Sequence, residues 1–180
     1  DLLDLSRVEA GKLTLSFDHV CLPAIAGDVI EQLLPLAIIK HLTIELQSSD
    51  STLLVWADQD RLSQILTNLL DNAIKSTPDG GHVSVELSID LHQMAQVVVR
   101  DNGQGIPSDA LPKLFDPFFR VQQEERGRTK GLGLGLAIVK DLVDLHGGSI
   151  RVRSEVDQGT AFIFTLPLQS RESIPLTRLP

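Results

Sequence analysis

The strongest constraint on the fold is a switch of hydrophobic period along the chain. Between residues 58 and 75, Leu62, Ile65, Leu69 and Ala73 recur at the spacing of one helix face, with Asp58 as an acidic N-cap. Thr77-Pro78-Asp79-Gly80-Gly81 stops that helix, and residues 83–89 and 97–100 follow as β-branched runs that read as strands. A second helical pattern, 134–146, ends at Gly147-Gly148 and leads into two strand patterns, 150–154 and 160–166, that suit an antiparallel hairpin. Helices and strands alternate without a steady strand-helix-strand beat. The pattern predicts an α+β chain: a two-layer sandwich with helices on one face of a mixed, mostly antiparallel sheet, rather than a doubly wound parallel sheet.

Ahead of this segment, residues 13–20 alternate like a strand, with Leu13, Leu15 and Phe17 on one side and Thr14, Ser16 and Asp18 on the other. Residues 23–40 return to helical spacing, with Pro23 acceptable in a first turn and Pro35 expected to kink the helix. Residues 43–46 and 52–56 are short strand patterns, 110–114 a short helix, and 170–180 a weakly patterned coil. Residues 1–10 read as the end of a helix, with Gly11 in the C-cap place.

At 180 residues and 42% hydrophobic content the chain can bury a core and lies far from the disordered regime. The 24 acidic residues outnumber 16 Lys plus Arg, giving a net charge of -8, and the basic residues form no cluster that would suit nucleic acid. Cys21 stands alone, which forbids an internal disulfide and suits a reducing, cytoplasmic setting. The longest apolar stretches read as too short or too interrupted to span a bilayer. The sequence starts at Asp1 rather than Met and is expected to be a piece of something longer.

Three polar segments carry chemistry. On helix 58–76, Asn68, Asn72 and Lys75 share the face opposite the apolar stripe; an amide oxygen is a hard ligand suited to Mg²⁺, and a lysine meets phosphate as a point charge. Asp101-Asn102-Gly103-Gln104-Gly105-Ile106-Pro107 follows a strand, its glycines allowing close backbone approach and Asp101 able to accept from an exocyclic amine. Gly131, Gly133 and Gly135 precede a helix and would offer backbone N–H groups to phosphate, although the spacing fits neither G-x-G-x-x-G nor a P-loop. Between the last two lies Phe115-Asp116-Pro117-Phe118-Phe119-Arg120 and a polar loop, the composition of a hinged lid with an apolar anchor. Taken singly, each has a plain structural alternative: a solvated helix face, an Asx-capped turn, a glycine-rich connection, a core cluster beside a surface loop.

In order and spacing, however, these segments resemble the N, G1, F and G2 boxes of bacterial sensor histidine kinases. The resemblance rests on Asn68-Leu69-Leu70-Asp71-Asn72-Ala73-Ile74-Lys75, Asp101 to Ile106, Leu114 to Arg120, Gly133-Leu134-Gly135-Leu136-Ala137-Ile138-Val139-Lys140 and the closing Gly159-Thr160-Ala161-Phe162. It implies the Bergerat ATP-binding sandwich shared with DNA gyrase. By the resemblance Asn72 is the Mg²⁺ ligand, Asn68 supports metal and phosphates, and Lys75 approaches the phosphates. Asp101 takes the adenine amino group, with Thr160 nearby through water, and Gly103, Gly105 and Ile106 shape the adenine pocket. Gly131, Gly133 and Gly135 hinge an ATP lid that lines the nucleotide with Phe119, Leu132, Leu134 and Leu136, and Arg120, Arg126, Arg128 and Lys130 are the lid cations. Ser76 stands where the family often has an aromatic residue, and Leu132 where Thr or Ser is common.

The resemblance further implies transfer of the γ-phosphoryl group of ATP to a histidine, leaving ADP, with relay to the receiver domain of a response regulator. None of His19, His41, His82, His92 or His146 has the acidic neighbour and helical-hairpin setting of an acceptor. Residues 1–12 resemble the end of the second dimerisation-hairpin helix, so the acceptor is expected upstream, 13–168 as the catalytic domain and 169–180 as a tail. Homodimerisation is expected of the parent protein and a monomeric state of the isolated piece. Two rivals remain. Gyrase-type ATPases and anti-sigma serine kinases place a Glu four residues before the metal Asn, where this chain has Asn68, and an amide cannot accept that proton. The other is a non-catalytic nucleotide-binding module.

Overall fold

The computed structural model describes residues 13–120 and 132–168. The elements in chain order are β1 (Asp18–Cys21), α1 (Leu22–Ile39), β2 (Thr43–Ser48), β3 (Leu54–Ala57), α2 (Gln59–Ser76), β4 (His82–Ile89), β5 (Met94–Asp101), a 3₁₀ turn at Leu111–Lys113, α3 (Gly135–Leu145), β6 (Ser149–Glu155) and β7 (Gly159–Pro167). A five-stranded sheet runs in the order β2-β4-β5-β7-β6, and β1 pairs with β3 in a separate ribbon. Only β2 and β4 are parallel; the other pairs are antiparallel, β6 and β7 forming the expected hairpin. The α+β reading therefore holds, as a mostly antiparallel sheet covered by helices.

Sheet register explains where the core lies. Val85, Val99, Phe162 and Val152 form one row across β4, β5, β7 and β6, and Leu87, Val97, Phe164 and Ile150 form the next. Because side chains alternate faces, these rows share the side on which the helices pack. The helices answer with Leu62, Ile65, Leu66, Leu69 and Leu70 of α2 and Ile138, Val139, Leu142 and Val143 of α3, all buried. α2 sits between α1 and α3, and packs on β5 as well. One row further along the same face Val83 is still apolar and its neighbours across the sheet turn polar: Asp101, Thr160 and Ser154.

Several local expectations need correction. Residues 13–17 are irregular and the strand begins only at Asp18, because their backbone meets no partner strand while Asp18–Cys21 pairs with Leu54–Ala57. The short helix near residue 110 is a single 3₁₀ turn. α1 also qualifies the expectation about bilayer-spanning stretches. It is the one described helix long and apolar enough to cross a membrane by length and composition, with mean hydropathy 1.6. Leu22, Ile25, Ala26, Val29, Leu33 and Ala37 recur along it at helical spacing and are buried, the face of a core helix. The expected hairpin-helix end at 1–12 and tail at 169–180 lie outside the described residues.

Candidate functional site

α2 is the spine of the site. Asp58 caps its start, Oδ1 accepting from Arg61 N–H at 3.1 Å and Oδ2 from Ser16 N–H at 2.8 Å. At the far end the Lys40 ammonium donates to the Ile74 carbonyl at 2.7 Å and to that of Thr77, closing carbonyls that the helix leaves unpaired. With the apolar side of α2 committed to the core, Asn68, Asn72, Lys75 and Ser76 lie along its other side.

At the Ser76 end the strand-end loop closes against the helix. A Cβ on Gly103 would lie 2.5 Å from the Ser76 carbonyl oxygen, so only glycine permits this approach. Asp101 is 5% exposed, and its Oδ1 accepts from Gly103 N–H at 2.8 Å. Burial pushes its carboxyl above the ordinary aspartate range, opposed by the Gly103 and Thr160 backbone N–H groups and the Ser76 hydroxyl. Gly105 has φ +69° and packs on the Glu155 carbonyl, which a Cβ would strike. Ile106 N–H donates to Ser154 Oγ at 2.8 Å, and Asp157 N–H to the Gln104 carbonyl at 2.8 Å, so the loop is stitched to the β6–β7 hairpin. Thr160 stands beside Asp101 in register, 5% exposed.

The Asn68 end is open. Both Asn68 and Asn72 are half-buried, and neither amide makes a hydrogen bond among the described residues. Two half-buried amides in want of partners on one helix side are suited to a ligand that supplies them. A Cβ on Gly135 would lie 3.2 Å from Asn68 Oδ1, so the start of α3 abuts this amide. Leu134 is buried under that junction, Leu136 is half-buried, and Leu132 is 68% exposed. The Gly133 carbonyl accepts from Phe118 N–H at 2.9 Å, which ties the Phe segment to the glycine segment, while Phe115 meets Phe162 edge-on in the core. Phe119 is half-buried and Arg120 exposed. Lys75 is exposed, and its ammonium pairs with Asp71 one turn back. Arg126, Arg128, Lys130 and Gly131 lie outside the described residues.

The three segments thus meet along one helix. Asn68 and Ser76 are eight residues apart, or about 12 Å at 1.5 Å per residue, a length that suits a nucleotide laid along α2. Asn72, midway, and Asn68 are the described oxygen donors placed to hold a hard cation; no cluster of three His, Cys, Asp or Glu exists among the described residues. The residue that the sequence reading missed is Ser154. Its signal was available: Ile150, Val152 and Ser154 alternate onto the inward side of β6, and a hydroxyl at the end of an apolar series needs a partner.

Residues 57–170 match the family described as histidine kinase-, DNA gyrase B- and HSP90-like ATPases. The chain belongs to this family. Within it, the chain is 34% identical over 168 residues to the adaptive-response sensory kinase SasA of Rippkaea orientalis, covering 93% of this chain and 42% of SasA. The solved full-length structure of ShkA in complex with AMPPNP superposes with a TM-score of 0.81 at 34% identity, over 92% of this chain and 34% of that one. The catalytic domain of histidine kinase ThkA superposes with a TM-score of 0.73 at 28% identity, over 85% of this chain and 96% of that domain. The chain accordingly resembles the histidine kinase branch and the catalytic part of it, and it spans less than half the length of SasA.

Proposed function

We propose that the chain binds Mg-ATP along α2 and transfers the γ-phosphoryl group to a histidine on a dimerisation hairpin outside the described residues, for relay to a response-regulator aspartate. The observation that carries this is the pair of amides, Asn68 and Asn72, half-buried and without a hydrogen bond among the described residues, on the same helix that ends against the buried Asp101. Asp101 accepts from the exocyclic amine of adenine, with Thr160 beside it, and Gly103, Gly105 and Ile106 bring backbone flush with the base. Bound Mg²⁺ supplies charge neutralisation between the phosphates. Asn72 holds it through the amide oxygen and Asn68 supports the same oxygens. Gly133, Gly135 and the positive start of α3 face the triphosphate, with Leu132, Leu134, Leu136 and Phe119 as its apolar border. Lys75, Arg120, Arg128 and Lys130 are the cations available to the moving phosphoryl group.

In the transfer, the bond from the γ-phosphorus to the bridging oxygen of ADP breaks as one forms to a ring nitrogen of the acceptor. The domain contributes position and charge rather than a base. Asn68 occupies the helix position four before Asn72, and its amide cannot take a proton from water, which favours transfer over hydrolysis. The acceptor, the homodimeric hairpin and a response-regulator receiver are the partners that the reading requires, with the isolated piece monomeric. The reading requires ATP and a receiver domain and so carries the expectation of a cytoplasmic reaction, whether or not the parent is membrane-anchored. The test is to mix the chain with a separately made histidine-bearing hairpin and γ-labelled ATP. Label on the hairpin, with slow release of phosphate, is the expected result; tight Mg-ATP binding without transfer would establish a binding module instead.

A further inference from the structure

Ser154 is part of no segment assigned above, yet it sits at the centre of the hydrogen bonds around Thr160. Its Oγ lies 2.8 Å from the Ile106 nitrogen, 2.8 Å from the Gly159 carbonyl oxygen and 2.8 Å from Thr160 Oγ1. A serine hydroxyl has one proton and two acceptor positions. The Gly159 carbonyl cannot donate, so the Ser154 proton is spent there. Ile106 N–H fills one acceptor position, and the Thr160 hydroxyl must donate into the other. Every valence of Ser154 is then used, and the Thr160 proton is turned away from the pocket.

This accounting leaves Thr160 Oγ1 with only lone pairs to offer. Asp101, its neighbour in register, also presents acceptors. Two adjacent acceptors call for a ligand group that donates twice, as the 6-amino group of adenine does; hypoxanthine, with an acceptor oxygen at that position and N1–H alone beside it, does not. We infer that Ser154 is a positioning residue that holds the Thr160 hydroxyl as an acceptor and thereby helps the pocket choose an adenine over a hypoxanthine nucleotide. The inference rests on the nucleotide-binding reading of the site.

The test measures dissociation constants of the full chain for ATP and for ITP, which carries the 6-oxo group, in wild type, Ser154→Ala, Thr160→Val and the double variant. Ser154→Ala frees the Thr160 hydroxyl to donate, so the ATP-over-ITP ratio should fall roughly three- to tenfold, the scale of one hydrogen bond. Thr160→Val removes the hydroxyl, and adding Ser154→Ala to it should lower the ratio no further. Ser154→Cys, a poorer acceptor of the same shape, should shift the ratio in the same direction and serves if the alanine variant fails to fold. An unchanged ratio in wild-type-like, folded Ser154 variants would overturn the inference. So would equal weakening of both nucleotides, or a further loss in the double variant, since either marks a scaffold role through Ile106 alone. A wild-type chain that binds ATP no better than ITP would overturn the reading of the site together with the inference; retained preference in the Ser154 variants overturns the inference only.

Discussion

At the Ser76 end of α2 the groove is closed by contacts within the chain, whereas at the Asn68 end the amides, though abutted by the start of α3, make no hydrogen bond among the described residues. Asp101, Gly103, Gly105, Ile106, Ser154 and Thr160 are joined by hydrogen bonds and by backbone approaches that admit no Cβ. Asn68 and Asn72 have no such partners. On the proposed reading, the contrast separates two tasks. Selecting a base rewards acceptors fixed before binding, because a rigid acceptor penalises the wrong ligand; holding a charged triphosphate with its cation rewards donors left unpaired until the charge arrives.

The largest expected effect breaks the open end. Asn72→Ala removes the midpoint oxygen donor, and phosphoryl transfer to the hairpin should fall on the order of a hundredfold or more, with loss of the Mg²⁺ dependence of ATP binding. Because the amide has no partner within the described residues, the melting temperature without nucleotide should stay within about 0.5 kcal/mol equivalent of wild type. Unchanged transfer, read with labelled ATP, would remove Asn72 from the site.

Asp101→Ala attacks the closed end and should weaken ATP binding roughly ten- to a hundredfold, the scale of a buried charge-assisted hydrogen bond. Asp101→Asn sharpens the point. Burial raises the folded pKa of this carboxyl, so the charge costs stability that is present at low pH and lost as pH rises through the folded value. The Asn variant should therefore bind ATP poorly while melting no lower than wild type at pH 7. ATP affinity of the wild type should start to fall, on acidification, at a higher pH than the ordinary 3.8 of aspartate, a trend that calorimetric titration can follow. That pair of outcomes would mark Asp101 as a functional group rather than a scaffold.

The same division explains what could be read from the sequence. α2 was legible with its cap and stop, since Asp58 and Thr77 act locally and the apolar stripe has one period. β6 and β7 were legible as a hairpin for the same reason. Residues 13–17 misled because alternation predicts a strand only where a neighbour exists to pair with it, and the partner of this ribbon, Leu54–Ala57, begins to pair at Asp18. At the site, Asn68, Asn72 and Asp101 could be named only from the order and spacing of their segments together, because each taken singly fits a solvated helix face or an Asx-capped turn. That Lys75 is tied to Asp71, and that Gly103 touches Ser76, are facts of three dimensions with no trace in spacing. Ser154 fell between: its inward position was visible, but its three partners come from both sides of a turn and from a loop some fifty residues away in sequence, as the Ile106 contact shows.

Gly105→Ala should break the closed end through backbone alone. The residue has φ +69° and a Cβ would strike the Glu155 carbonyl, so strain and displacement together should cost about 1–3 kcal/mol in chemical denaturation. Leu132→Ala, at a side chain 68% exposed near the open end, should change stability by less than about 0.5 kcal/mol. Equal effects at the two sites would erase the distinction between a fixed and an open end.

The smallest effect concerns the scaffold behind the open end, where the last turn of α3 meets the first of α2. His146 caps α3, is 3% exposed, donates from Nδ1 to the Leu142 carbonyl at 2.7 Å and accepts at Nε2 from Asp58 N–H at 3.1 Å. That pairing requires the neutral ring, since a protonated ring would point a second donor at the Asp58 N–H. Burial lowers the His146 pKa, partly offset by the Leu142 carbonyl and the Asp58 charge. A depressed histidine contributes stability that is whole above its unfolded value of 6.5 and is lost as pH falls toward the folded one. Denaturation midpoints should therefore decline below pH 6.5, and His146→Gln, whose amide can still accept from Asp58 N–H, should flatten that decline. Nucleotide selectivity should not follow the same curve, because the ring touches α2 at its start and the proposed base site lies at its end. A selectivity that tracked the His146 titration would couple the two ends and undo the division of labour between them.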